Sequence, residues 1–246
     1  SKVINQGRGT CYLESLASLS LDLPDADYNW LQLSGAWARE RHIKERPLQQ
    51  GIQSIESTRG ISSPHHNPFV ALKRPETTEF SGPVLGAALV YSGNFLIQAE
   101  VDTYDVTRLQ LGINPFGFEW KLAPGQSFTS PEALLVYSER GLNGMSQVFH
   151  QLFRRRLARG YWRERARPVL INNWEATYFD FSENQLLELA EKAQAVGVEL
   201  FVLDDGWFGQ RTNDRAGLGD WFANPERLPR GLGSLAGRIH GLGMQF

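Results

Sequence analysis

Two short stretches of this sequence share one design. In Glu199-Leu200-Phe201-Val202-Leu203-Asp204-Asp205-Gly206-Trp207, an apolar run leads into two adjacent carboxylates, a glycine and an indole. Thirty residues earlier, Val169-Leu170-Ile171-Asn172-Asn173-Trp174 runs apolar and ends in two amides and an indole. A strand buried on both faces reads as a continuous apolar run, and α/β enzymes place ligands at its carboxyl end. Between the two runs the period is helical. Ser182 stands in capping position with Gln185 three residues on, and Leu186, Leu187, Leu189, Ala190, Ala193 and Val196 supply an apolar face. Gly197 ends that helix in the αL-tolerant position, so the two strands are expected to lie parallel. A long excursion, 208–230, precedes a second helical pattern through Leu232, Leu235, Ile239 and Leu242; Gly243-Met244-Gln245-Phe246 then reads as the start of a third strand. This β-α-β-α order predicts the opening of a (β/α) barrel built around a polyol. Eight such units need roughly 250 residues. Only 79 run from Pro168 to Phe246, so the barrel is not expected to close within this chain.

Upstream the period is two. Candidate strands are Leu16–Asp22, Gln50–Ser57, Pro83–Tyr91, Phe95–Asp102, Thr107–Gly112, Glu119–Leu122 and Ala133–Ser138. Ser92-Gly93-Asn94, Asn114-Pro115-Phe116-Gly117 and Ala123-Pro124-Gly125 supply turns between them. Many short strands with Gly/Pro turns predict a large β-sandwich. From Asn143 the spacing of Met145, Phe149, Leu152, Phe153 and Leu157 becomes helical, and Arg154, Arg155 and Arg156 fall in the last turns. The expected organisation is therefore a sandwich over 1–142, a connecting helix over 143–166 and the first two βα units of a TIM-type barrel over 167–246, truncated at both ends. The start at Ser1 without an initiator methionine, and the end inside an apolar strand, are read as marks of an internal piece of a longer polypeptide.

Composition excludes several classes. A formal net charge of −2 gives no reason to expect nucleic acid or an acidic membrane surface as a partner. No apolar run approaches the 18 residues or so a membrane-spanning helix needs, and the amino end has no signal pattern. With a single cysteine, Cys11, there is no intrachain disulfide, and a cytoplasmic setting is expected. His65 and His66 are neighbours on a polar loop with no further ligand at metal spacing. Nucleophile-elbow, dinucleotide and phosphate-loop motifs are absent, so no metal or cofactor is expected.

Asp204 and Asp205 are the obvious acids. Successive strand residues point to opposite faces, so adjacent aspartates do not readily flank one scissile bond in the way glycoside hydrolysis requires. Where a strand ends and the chain bends, both can turn into one pocket and accept charge-assisted hydrogen bonds from sugar hydroxyls. The competing reading is a cap, with each carboxylate satisfied by backbone amides of the next loop. Trp174, at the matching end of the preceding strand, is expected to form a wall or floor of the same pocket, and Glu175 is a weaker candidate. The segment Gly219-Asp220-Trp221-Phe222 lies on the excursion after the aspartates and could line a cleft. No role is assigned to Arg59, His65, His66, Asp220 or Trp221.

These residues carry a specific resemblance. Ile171-Asn172-Asn173-Trp174-Glu175-Ala176-Thr177 and Leu203-Asp204-Asp205-Gly206-Trp207-Phe208-Gly209 resemble the bacterial α-galactosidases of glycoside hydrolase family 36. So do Gly219-Asp220-Trp221-Phe222, the loop Glu56-Ser57-Thr58-Arg59-Gly60-Ile61-Ser62-Ser63, and Val90-Tyr91-Ser92-Gly93-Asn94-Phe95, so the likeness runs from about Leu19 onward. It implies an amino-terminal β-sandwich, a central (β/α)8 barrel, a small carboxyl-terminal β domain, retaining chemistry on raffinose- or melibiose-type α-galactosides, and a homotetramer. It also implies that Trp174 lines the galactose subsite and that Asp204 and Asp205 bond the sugar hydroxyls. The family's nucleophile lies in a later Lys-x-Asp-x-Asn motif and its acid/base aspartate later still. Neither is present here, so this chain is expected to hold part of the binding site, no catalytic residue and no activity alone. A related transglycosidase of the raffinose or stachyose synthase type, and a non-catalytic sugar-binding protein on the same scaffold, remain alternatives.

Overall fold

The computed structural model describes residues 1–246, which divide into two compact units, Ser1–Ala158 and Arg159–Phe246.

The first unit is a β-sandwich. Its strands in chain order are β1 (Lys2–Ile4), β2 (Cys11–Leu13), β3 (Ala17–Leu23), β4 (Asn29–Ala36), β5 (Arg39–Pro47), β6 (Gly51–Glu56), β7 (His66–Lys73), β8 (Val84–Val90), β9 (Phe95–Val101), β10 (Thr107–Ile113), β11 (Trp120–Leu122), β12 (Ser127–Thr129) and β13 (Glu132–Ser138). One sheet runs β13-β8-β7-β4-β5 and the other β3-β10-β9-β6, both antiparallel; β1 with β12 and β2 with β11 form two small ribbons. Alternation explains the core. Along β9, Phe95, Ile97, Ala99 and Val101 are buried while their neighbours are partly open, and they meet Trp30, Val70, Leu72, Ala87, Leu89, Leu109 and Leu111. Each large side chain sealed in this way contributes about 1.5–3 kcal/mol of hydrophobic stabilisation.

Strand β8 is buried on both faces because helix α1 (Gly141–Leu152) covers the outer side of its sheet with Met145 and Phe149. Gly86 makes that approach possible: a Cβ there would fall 2.7 Å from the Phe149 ring. Arg41, His42, Lys44 and Arg46 keep the wholly exposed edge strand β5 polar, a common guard against edge-to-edge pairing. The segment expected as one connecting helix over 143–166 is shorter. After Leu152 the winding widens into a π turn over Phe153–Leu157, and Ala158 is extended. Since α1 packs on β8 and β13, it belongs to the sandwich unit.

The second unit pairs two parallel strands, β14 (Leu170–Asn172) and β15 (Leu200–Val202), with Leu170 opposite Leu200, Ile171 opposite Phe201 and Asn172 opposite Val202. A short helix α2 (Trp174–Thr177) follows β14, then α3 (Glu183–Ala195) and, after β15, α4 (Gly231–Gly241). Ser182 and Gln185 form the expected capping box at α3. Phe181, Leu186, Leu187, Ala190, Ala193, Phe201, Leu228, Leu235, Ile239 and Met244 make the core. Val196, expected on the apolar face of α3, is instead exposed, because the helix ends at Ala195 and the chain turns at Gly197 with φ +89°. Gln245 bridges Leu200 in parallel, the beginning of a third strand. No helix is long and apolar enough to cross a membrane.

Candidate sugar-binding site

The site forms where β14 and β15 end side by side. Strand β15 stops at Val202, so Asp204 and Asp205 lie in the bend beyond it, and both face one open cleft of about 380 Å³. Gly206, at φ +90°, makes that bend; a Cβ there would press on the Phe179 and Phe181 rings at 3.3 Å. The cleft is also lined by Trp207, Phe208, Leu218 and Trp221. Phe208 and Trp221 meet at a tilt with centroids 4.6 Å apart and Trp207 meets Phe208 edge-on at 5.1 Å, so aromatic rings border the carboxylates.

Each carboxylate is anchored before any ligand arrives. Asp204 accepts from Asn172 Nδ2 at 2.5 Å across the strand pair and from the amide of Asp205 at 2.6 Å. Its own amide donates to Asn173 Oδ1 at 2.7 Å. Asp205 accepts from the Gly206 amide at 2.8 Å and from Arg211, whose Nε is shared between Oδ1 at 2.9 Å and Oδ2 at 3.0 Å and whose Nη2 reaches Oδ2 at 2.8 Å. Hydrogen bonding from Arg211 holds the Asp205 carboxyl below the ordinary aspartate range, against the opposing effect of burial. The capping geometry and the cleft-facing geometry therefore coexist. A carboxylate offers about four acceptor positions: Asp204 uses two, whereas Asp205 takes four contacts, of which the 3.0 Å branch from Arg211 Nε shares its donor and is the one a hydroxylated ligand would displace.

Other residues behave differently from expectation. The two amides of Asn172-Asn173 divide their work: Asn172 stays partly open, while Asn173 is fully buried and holds the strand ends through Asp204 and the Thr177 hydroxyl at 2.9 Å. Trp174 is not among the residues lining this cleft. It begins α2, and its ring stands edge-on to Tyr178 at 5.3 Å, just past the end of that helix, and to Phe179 at 4.9 Å. Trp221 does line it. His65 and His66 lie on the sandwich, where Ser63 and Ser34 bond their rings. Arg211 and Asn224 carry no sequence signal strong enough to single them out. Asn224 closes the excursion by donating to the Gly209 carbonyl at 2.8 Å.

Comparison with known proteins covers both units. Residues 1–123 match the glycosyl hydrolase family 36 N-terminal domain, and residues 127–246 match melibiase. The α-galactosidase AgaA of Geobacillus stearothermophilus is 54% identical over 242 residues, covering 98% of this chain and 33% of that protein. An α-galactosidase of Lactobacillus acidophilus is 46% identical over 245 residues, covering 100% of this chain and 34% of that protein. The crystal structure of AgaA superposes with a TM-score of 0.95 at 53% identity over the whole chain and 34% of its own length; variants of AgaA were crystallised in complex with stachyose and with raffinose. The chain spans about a third of the length of the relatives it matches. Its architecture is a β-sandwich followed by the first βα units of a TIM-type barrel.

Proposed function

The chain belongs to glycosyl hydrolase family 36, and from that we propose that it supplies part of the galactose-recognition site of a retaining exo-α-galactosidase acting on raffinose- and melibiose-type oligosaccharides. The observation that carries this reading is the pair of pre-anchored carboxylates, Asp204 and Asp205, facing an aromatic-bordered cleft at the carboxyl ends of parallel strands. Such groups suit a polyol. Each accepts from a sugar hydroxyl while Asn172 or Arg211 prevents it from swinging away, so little ordering entropy is lost on binding. Trp174 would contact the sugar from the β14 side, beyond the Asn172–Asp204 pair. Protonation of the leaving group and attack on the anomeric carbon belong to parts of the parent outside these residues. Assembly of the parent as a homotetramer and a cytoplasmic location are part of the same proposal.

In the full-length parent, Asp204→Ala is expected to lower kcat/KM on raffinose and p-nitrophenyl α-galactoside by about 10- to 150-fold, the equivalent of one charge-assisted hydrogen bond. Part of the loss should fall on kcat, if that bond tightens in the transition state. Wild-type kinetics in the folded variant would leave Asp204 as a cap alone.

A further inference from the structure

We propose that Arg211 is a positioning residue for this site: one guanidinium fixes the Asp205 carboxylate and, in the same grip, the loop that brings Leu218 and Trp221 to the cleft. The inference rests on the functional reading above. Arg211 is only 6% exposed. A buried cation must be neutralised and its donors satisfied, and here one carboxylate takes the planar fork while the remaining nitrogen, Nη1, donates to the Ala216 carbonyl at 2.8 Å. The guanidinium also lies over the Phe179 ring, 5.6 Å from its centroid, and Phe179 is the ring against which Trp174 stands.

The loop depends on this anchor for a physical reason. Between β15 and α4 there is no helix or strand, and residues 212–216 are all exposed, so burial supplies little to fix their path. What holds the turn is Arg211 Nη1 on Ala216, a close pass at Gly217, and the Asp220 amide donating to the Gly217 carbonyl at 3.0 Å. Gly217 is required there: φ is +85°, and a Cβ would lie 3.0 Å from the Arg211 Cβ. The same side chain thus fixes which rotamer Asp205 adopts and the turn that leads to Leu218, while Trp221 beyond it is held as well by the Gly209 amide on the Phe222 carbonyl at 2.8 Å and the Phe208–Ala223 bridge. Lysine could supply the charge but not the fork, since an ammonium is a point donor without fixed geometry. Arg211 itself does not line the cleft, so it acts through Asp205 and the loop.

The test uses the full-length parent with p-nitrophenyl α-galactoside as probe, and kinetic constants are expressed per folded molecule. Arg211→Lys is expected to lower kcat/KM by about 10-fold, and Arg211→Ala by about 100-fold, as befits a carboxylate free to move by an ångström. Constants within about twofold of wild type in folded Arg211→Lys would overturn the inference. Should that variant not fold, Arg211→Ala decides, assayed with millimolar guanidinium chloride against sodium chloride of equal ionic strength. Recovery of activity with guanidinium alone supports positioning by the fork; no recovery overturns it. A wild-type parent inactive on every α-galactoside offered is a separate result, and it would sink the functional reading.

Discussion

The two units of this chain solve opposite problems. In the sandwich, long strands alternate and almost every inward side chain is sealed: Trp30, Phe95, Ile97, Ala99 and Leu109 are wholly buried, and the polar edge strand β5 faces water. In the α/β unit the strands are three residues long, and the ends that matter are held by hydrogen bonds among Asn172, Asn173, Asp204, Asp205 and Arg211. Exposed apolar groups occur in both units, Trp37, Phe80, Tyr104 and Phe116 in the sandwich and Leu218, Trp221 and Phe222 here, so the contrast lies in how the ends of the strands are held. Apolar burial fixes a fold without asking for particular chemistry, whereas a polar network fixes particular atoms in place and leaves them reactive towards a ligand. Stability and recognition are thereby assigned to different parts of the molecule.

The largest effect that can break this contrast comes from emptying each core in turn. Phe95 and Phe201 are both fully buried, and replacing either with alanine should destabilise its unit by about 3–5 kcal/mol. Their consequences for the site should differ. In the parent, Phe95→Ala is expected to lower the melting temperature and leave kcat/KM per folded molecule unchanged. Phe201 stands on β15, three residues before Asp204, so its loss should shift the strand end and reduce kcat/KM as well. Equal kinetic losses in the two variants would erase the distinction.

A smaller effect separates the units by pH. In the sandwich, burial pushes the His66 imidazole below its ordinary value of 6.5, and ion pairing holds Asp25 beside Arg74, and Glu45 beside Lys73, below the usual carboxylate range. In the α/β unit Asp205 is held low by Arg211. All four bind protons more readily when unfolded, so each contributes stability that falls as the pH falls. His66 begins to act as the pH drops below 6.5, whereas the carboxylates act only below their ordinary values of 3.8 for aspartate and 4.5 for glutamate. Thermal unfolding between pH 7 and pH 5 should therefore weaken the wild type more than His66→Gln, and Asp205→Asn should change the profile only under about pH 4. Parallel profiles for wild type and His66→Gln would contradict this assignment.

Much of this was legible from sequence, and the exceptions have physical causes. The period-two segments led directly to β3, β6, β8, β9, β10, β11 and β13, and the capping box at Ser182 gave α3. Strands β4, β5 and β7, and the three-residue β1 and β12, were not visible. The outward face of β5 is as polar as its inward one, and β7 carries Pro68 between His66 and Phe69, so neither shows clean alternation. At the site, the placement of Asp204 and Asp205 in one cleft followed from the strand end and Gly206. The burial of Asn173, the turn of Trp174 towards Phe179 and the grip of Arg211 all depend on contacts between side chains on separate turns. Spacing along one chain carries no signal for such contacts.

The division of labour between the units is tested most directly by hydrogen exchange on the full-length parent with and without saturating galactose. Protection on binding is expected in peptides covering 170–179 and 203–222, with no change across 1–158. Protection spread through the sandwich strands, or none at the strand end bearing Asp204 and Asp205, would contradict it.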